Sequence, residues 1–302
     1  MKGRGMEAGK STQGHVAALI TVFIWGTTFI STKLLLKSFS ATEILFFRLA
    51  LAFMVLSLIS PRWIRFKSMK EELLFMAAGL CGVTAFFMLQ NIALTYTLAS
   101  NVGVLLSVSP FFTAILSYFF LKDEELHANF FIGFAVSIVG ISLISFSGSY
   151  ILKINPLGDV LTILAAVTWA IYSILLRKIS DQPYTNLQIT HRVVTYGLIF
   201  LLPMLIPFEF QLDLARFSSL SNLANMLFLG IGASALAFVT WNYAVSVLGA
   251  VKTSAYIYAV PVIAVMASAI LLEERITGVA LVGVILILLG LHLSERKKPF
   301  LT

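Results

Sequence analysis

Apolar residues run in long stretches along this chain, and short polar breaks divide one stretch from the next. A helix needs roughly 20 mainly apolar residues to cross the hydrocarbon core of a bilayer. By that measure the pattern predicts ten spans. In the first half they cover 16–36, 41–60, 72–93, 99–121 and 129–147, and in the second 158–177, 187–206, 223–246, 252–272 and 278–294. The breaks are short, so no extramembrane domain is expected. The predicted class is an all-α integral membrane protein, with terminal tails at 1–15 and 295–302.

Composition agrees with that pattern. The chain has 302 residues, of which 59% are hydrophobic and 12% charged, and a mean hydropathy of +0.95. A soluble domain of this length needs more charge to cover its surface. The net charge of +7 does not mark a nucleic-acid face, because the basic residues sit in small clusters between apolar runs. Lys2, Arg4, Arg62, Arg65, Lys67 and Lys70 all fall on one side of the predicted membrane. The positive-inside rule then puts both termini in the cytoplasm, as expected of a cell-membrane protein. The first apolar run reads as a retained helix rather than a cleaved signal. The one cysteine, Cys81, allows no internal disulfide.

The two halves resemble each other. Gly79 to Pro110 aligns with Gly230 to Pro261 without a gap, placing Asn91 on Asn242 and Ala93 on Ala244. Further on, Glu124 matches Glu274, Gly133 matches Gly283 and Gly140 matches Gly290. At the front, Trp25, Lys33 and Arg48 match Trp169, Arg177 and Arg192 at one constant spacing. Each half holds an odd number of spans, so the second enters the membrane from the opposite side. Inverted five-helix repeats at 16–147 and 158–294 are an architecture of secondary transporters, whose substrate site lies near the midplane between them.

Particular segments carry a family resemblance. The first span reads Trp25-Gly26-Thr27-Thr28-Phe29 and ends at Lys33. Pro110 is followed by Leu121-Lys122-Asp123-Glu124, and Pro261 by Leu271-Leu272-Glu273-Glu274-Arg275. The chain resembles the drug/metabolite transporter (DMT) superfamily, and within it the ten-helix EamA-type permeases. The resemblance implies exporters of amino acids and other metabolites, with some importers. Many members carry a Leu-Gly pair before the acidic residue that ends the fourth helix. Here the segment is one residue longer, so either Asp123 or Glu124 can take that position.

Several residues are candidates for transport. Pro110 and Pro261 lie mid-span, where proline removes a backbone hydrogen bond and frees a carbonyl. They are paired hinges or ordinary packing kinks. Trp25, Phe29 and Lys33 share one helix face, as do Trp169, Ser173 and Arg177, forming either cavity walls or interhelix packing. Asn91 with Gln90, and Asn242 with Trp241, can orient a polar substrate or bond helices together. Tyr256 and Tyr258 precede Pro261, and Ser107 and Ser109 precede Pro110; the members of each pair face different ways. Arg48 and Arg192 lie about six residues into their spans, where a cation is costly unless paired, wet or snorkelling. With Glu43 and Lys33 on one side and His191 on the other, they form part of a gate, attract an anionic group, or snorkel.

No carboxylate falls in the middle third of any predicted span, which argues against tight proton coupling. Phosphate-cradling loops, HExxH and cysteine–histidine clusters are missing from the sequence, so neither an enzyme nor any cofactor or metal is expected. The expected partners are a small-molecule substrate and the lipid bilayer, not nucleic acid; a monomer and a homodimer fit equally. Three functions are compatible: export of a small, partly apolar metabolite such as an amino acid by alternating access; import of a nucleoside, vitamin or sugar derivative; and a non-transporting scaffold or lipid-binding subunit.

Overall fold

A computed structural model describes residues 2–60, 64–96, 102, 105–121, 127–147, 155–207, 210–263, 266 and 278–295, without the side chains of 2–9, 29, 33, 94–95, 144–147, 280 and 295. Helices dominate, and there is no strand among the described residues. In the first half they are α1 (Lys2–Leu35), α2 (Ala41–Ile59), α3 (Met69–Gly79), α4 (Phe86–Tyr96), α5 (Ser109–Phe120) and α6 (Ala128–Ser147). The second half holds α7 (Pro156–Ser180), α8 (Asn186–Leu201), α9 (Leu220–Leu227), α10 (Ala237–Leu248), α11 (Ala250–Ala255) and α12 (Gly278–Glu295). Helix α1 begins well before the expected start of its span.

Irregularities of the backbone recur at matching places. A wide π-helical turn, Leu80–Ala85, joins α3 to α4, and another, Phe228–Leu236, joins α9 to α10. In the Gly79–Pro110 register these turns fall at equivalent positions, and π turns of this kind concentrate at functional sites. The second helix of each half starts with a reciprocal cap: Ser40 with Glu43 on α2, and Thr185 with Gln188 on α8. Such caps satisfy the free N–H groups of a helix start. Between α10 and α11 the chain reverses at Gly249, whose φ of 87° suits a residue without a side chain.

Both prolines stand just after a break. Pro110 occupies the first turn of α5, and its missing N–H would leave the Leu106 carbonyl unbonded; the Ser109 hydroxyl donates to that carbonyl instead, at 2.5 Å. In the second half a 3₁₀ turn, Tyr256–Tyr258, precedes Pro261. Among the described residues, a turn at Ser107–Val108 precedes Pro110, and the helix before Pro261 passes through a 3₁₀ turn.

The halves interlock. The first helix of each half packs on the third span of the other: α1 against α10, where the Thr21 and Thr240 hydroxyls meet at 2.6 Å, and α7 against α4. The second helices do likewise. A methyl added at Gly79 would stand 2.6 Å from Tyr196 Cβ on α8, and one at Gly230 would stand 2.6 Å from Leu51 Cβ on α2. The last helices of the halves, α6 and α12, run antiparallel through Gly133, Gly140 and Gly290, small residues that let backbones approach. Large apolar side chains face outward, Leu58 at 82% and Phe119 at 71% exposure among them. A surface of that kind is covered by lipid.

Candidate functional site

At the contact between the halves lies a cluster of rings. Trp25 on α1 and Trp169 on α7, equivalent positions of the repeat, meet edge to face with centroids 5.2 Å apart. Trp241 on α10 stands 5.1 Å from Trp25 and 5.8 Å from Trp169. Phe86 touches Trp169 at 4.8 Å, and Tyr172 does so at 5.2 Å. Phe87 and Phe238, matched in the Gly79–Pro110 register, approach within 6.3 Å. Edge-to-face geometry sets the positive rim of one ring on the negative face of another, which adds to the gain from burial.

The polar atoms of this cluster differ in how they are satisfied. Trp25 Nε1 donates to the Ala233 carbonyl at 3.2 Å. The indole nitrogens of Trp169 and Trp241 are buried and have no hydrogen-bond partner among the described residues. Asn242 accepts from the Tyr172 hydroxyl and donates to Thr190 Oγ1, both at 2.7 Å, joining α7, α8 and α10. Both ends of its amide are thus engaged by protein, the arrangement of an interhelical bond. Arg48 borders the cluster from α2. Its Nε donates to Ser234 Oγ at 2.7 Å, and its guanidinium lies 4.4 Å from the Phe87 ring centre.

A charged clamp stands on each side of the cluster. Towards the face where α1 begins, Arg192 Nε donates to Glu72 Oε1 at 3.0 Å while its terminal nitrogens reach Glu72 Oε2 and the Ile64 carbonyl. Tyr196 donates to the same carboxylate. At the opposite face Glu43 accepts from Arg216 at 2.9 and 3.1 Å and from the Gln211 N–H at 3.1 Å. This clamp holds the connection after α8 onto the start of α2. Its hydrogen bond to Glu43 raises the pKa of Arg216 above the ordinary value.

The remaining candidates separate in space. The side chains of Phe29 and Lys33 lie outside the described residues, as do Asp123 and Glu124. Gln90 is half-buried on α4, and Asn91 makes a long contact, 3.4 Å, with the Ala41 carbonyl. Ser107 is buried at the break before Pro110, and Ser173 donates to its own helix at the Trp169 carbonyl. Tyr256 meets His15 Nδ1 at 2.5 Å, whereas Tyr258 turns away into a group with Ile141, Ile287 and Phe134. Arg177 bonds Asp181 at 2.8 Å on its own helix end, and His191 meets Ser57 Oγ at 2.9 Å. A groove of about 380 Å³ between Leu19, Ile20, Phe23, Ile24 and Ile263 is lined by apolar side chains alone.

Sequence reading missed Ser234, Phe238, Tyr172, Glu72, Arg216 and His15. Phe238 had a usable signal, since it falls on Phe87 in the repeat register. The others gain their roles through contacts distant in sequence.

Two inverted bundles that meet at an aromatic contact, each end held by a charged clamp, define a membrane transporter rather than an enzyme. The EamA-like transporter family matches the chain twice, over residues 12–146 and 156–295. The chain belongs to that family, and so to the permeases of the DMT superfamily. A transporter of Archaeoglobus fulgidus, itself uncharacterized, is 28% identical over 296 residues, covering 95% of this chain and 99% of its own length. A protein of Streptantibioticus cattleyicolor named a probable terminal-alkyne amino-acid exporter is 27% identical over 282 residues, 93% of each chain. A solved crystal structure superposes with a TM-score of 0.78 at 17% identity, covering 94% of this chain and 96% of that one, which shows a shared fold.

Proposed function

We propose that this protein is a secondary carrier that exports small, partly apolar metabolites, amino acids among them, across the cell membrane by alternating access. The observation that carries this reading is the Trp25–Trp169 contact, where equivalent residues of inverted halves meet. A site at such a contact opens to one face or the other as the halves rock. The turns before Pro110 and Pro261 supply places where the backbone bends. The name of the Streptantibioticus relative supports an amino-acid-like cargo. Both termini face the cytoplasm in this reading, as the basic residues of the first half ask. The units that move are the repeats at 16–147 and 158–294.

Reconstituted vesicles test the proposal. Labelled aromatic and aliphatic amino acids should cross faster than in empty vesicles, without ATP. A broad solute panel that moves no faster than in empty vesicles defeats it. Cells producing the protein should resist toxic amino-acid analogues; sensitisation would indicate import.

A further inference from the structure

The strongest unexplained feature of the interior is Arg48, only 7% exposed and within a membrane-spanning helix. A cation there costs a few kcal/mol unless something compensates it. Its described partners are one neutral hydroxyl, Ser234 Oγ, and the face of Phe87. A guanidinium offers five N–H groups. No carboxylate lies against Arg48 among the described residues. Its repeat equivalent, Arg192, is held by Glu72 and the Ile64 carbonyl.

The surroundings add further donors. Trp169 and Trp241 are 3% and 0% exposed, and each carries an indole N–H with no partner among the described residues. Ser234, Phe238 and Trp241 recur at helical spacing and share a face of the eighth span. The Arg48 guanidinium on Phe87 therefore continues through Phe238 to Trp169, 6.2 Å apart, and on to Trp241. A cation and two buried donors border one set of rings. Buried donors require acceptors, and an anion with two oxygens suits a guanidinium best.

We infer that Arg48 anchors a carboxylate of the transported solute, and that the rings of Phe87, Phe238, Trp169 and Trp241 take its apolar body. One guanidinium neutralises one carboxylate. A phosphate dianion would keep an uncompensated charge among aromatic rings, where burial of charge is costly. The indole N–H groups of Trp169 and Trp241, further along the rings, serve polar atoms of the solute's body once the ring contacts part to admit it. This assignment rests on the carrier reading but concerns binding, so it can be tested without transport.

Thermal unfolding of the detergent-solubilised full chain, with paired probes, tests it. The pairs are 3-phenylpropionate with 3-phenylpropanamide and L-phenylalanine with L-phenylalaninamide. The acid of at least one pair should stabilise the protein, with its amide about tenfold weaker, as expected for loss of a charge-assisted bond. Arg48→Gln should unfold no earlier than the parent without probe and should lose the preference for acid over amide. Arg48→Lys, which keeps the charge and loses the planar fork, should retain part of it. Equal response to acid and amide, no response to either acid, or an unchanged preference in Arg48→Gln overturns the assignment. If Arg48→Gln fails to fold, an unaltered preference in Arg48→Lys does so. Preference for the acid without flux in vesicles would instead defeat the carrier reading and leave the site standing.

Discussion

Arg48 and Arg192 occupy equivalent places on the second helices of the two halves, yet their side chains take different courses. From α8, Arg192 turns towards a membrane face, joins Glu72 and fastens the Ile64 carbonyl of the connection between α2 and α3. From α2, Arg48 turns inward to Ser234 and Phe87. At its own end of the molecule the corresponding clamp is built by another pair, Glu43 and Arg216. Symmetry of the backbone therefore fixes where a side chain starts and leaves its role free. Releasing Arg48 from clamp duty leaves a cation beside the aromatic contact, the feature on which the proposed carboxylate site rests.

The largest effect that can break this comparison is expected at Glu72. Glu72→Ala leaves Arg192 without its carboxylate and should cost about 3 kcal/mol, the scale for breaking a buried pair. Arg48→Met should leave stability unchanged or improved, because it removes a charge that no described carboxylate compensates. Melting temperatures in detergent check both, and equal losses would sink the contrast. A smaller effect tests the shared backbone. Gly79→Val and Gly230→Val insert side chains at equivalent contacts and should each cost about 2 kcal/mol by overpacking. Costs that differ by more than about 1 kcal/mol would show that the third spans do not pack equivalently. The smallest contrast compares the matched asparagines. Asn242→Ala leaves the buried Tyr172 hydroxyl without its acceptor and should cost about 1–2 kcal/mol. Asn91→Ala, which loses one contact at 3.4 Å, should stay below about 0.5 kcal/mol. Equal values for the two would refute the distinction.

Much of this architecture is legible in the sequence because local rules set it. Length and hydropathy mark the spans, an odd number of spans per half forces inversion, and proline marks Pro110 and Pro261 as places of irregular backbone. The matched Trp25 and Trp169 are in contact, as residues near a two-fold axis should be. What escaped depends on distant partners. Glu43, on the same side as Arg48, serves Arg216, which lies 173 positions away. Arg192 reaches Glu72 across 120 positions, and Arg48 reaches Ser234 across 186. No periodicity encodes such pairings. The π turns escaped too, since Leu80–Ala85 and Phe228–Leu236 read as ordinary apolar helix.

Flux of labelled L-phenylalanine into proteoliposomes, expressed per folded protein, tests the central claim most directly when Arg48→Gln and Arg192→Gln are measured side by side. The predicted result is a loss of about tenfold or more for Arg48→Gln at undiminished melting temperature, the scale of one charge-assisted bond. Arg192→Gln should melt earlier while its surviving folded fraction keeps most of its flux. Parent-like flux in Arg48→Gln, or the loss falling on Arg192→Gln instead, would contradict the account.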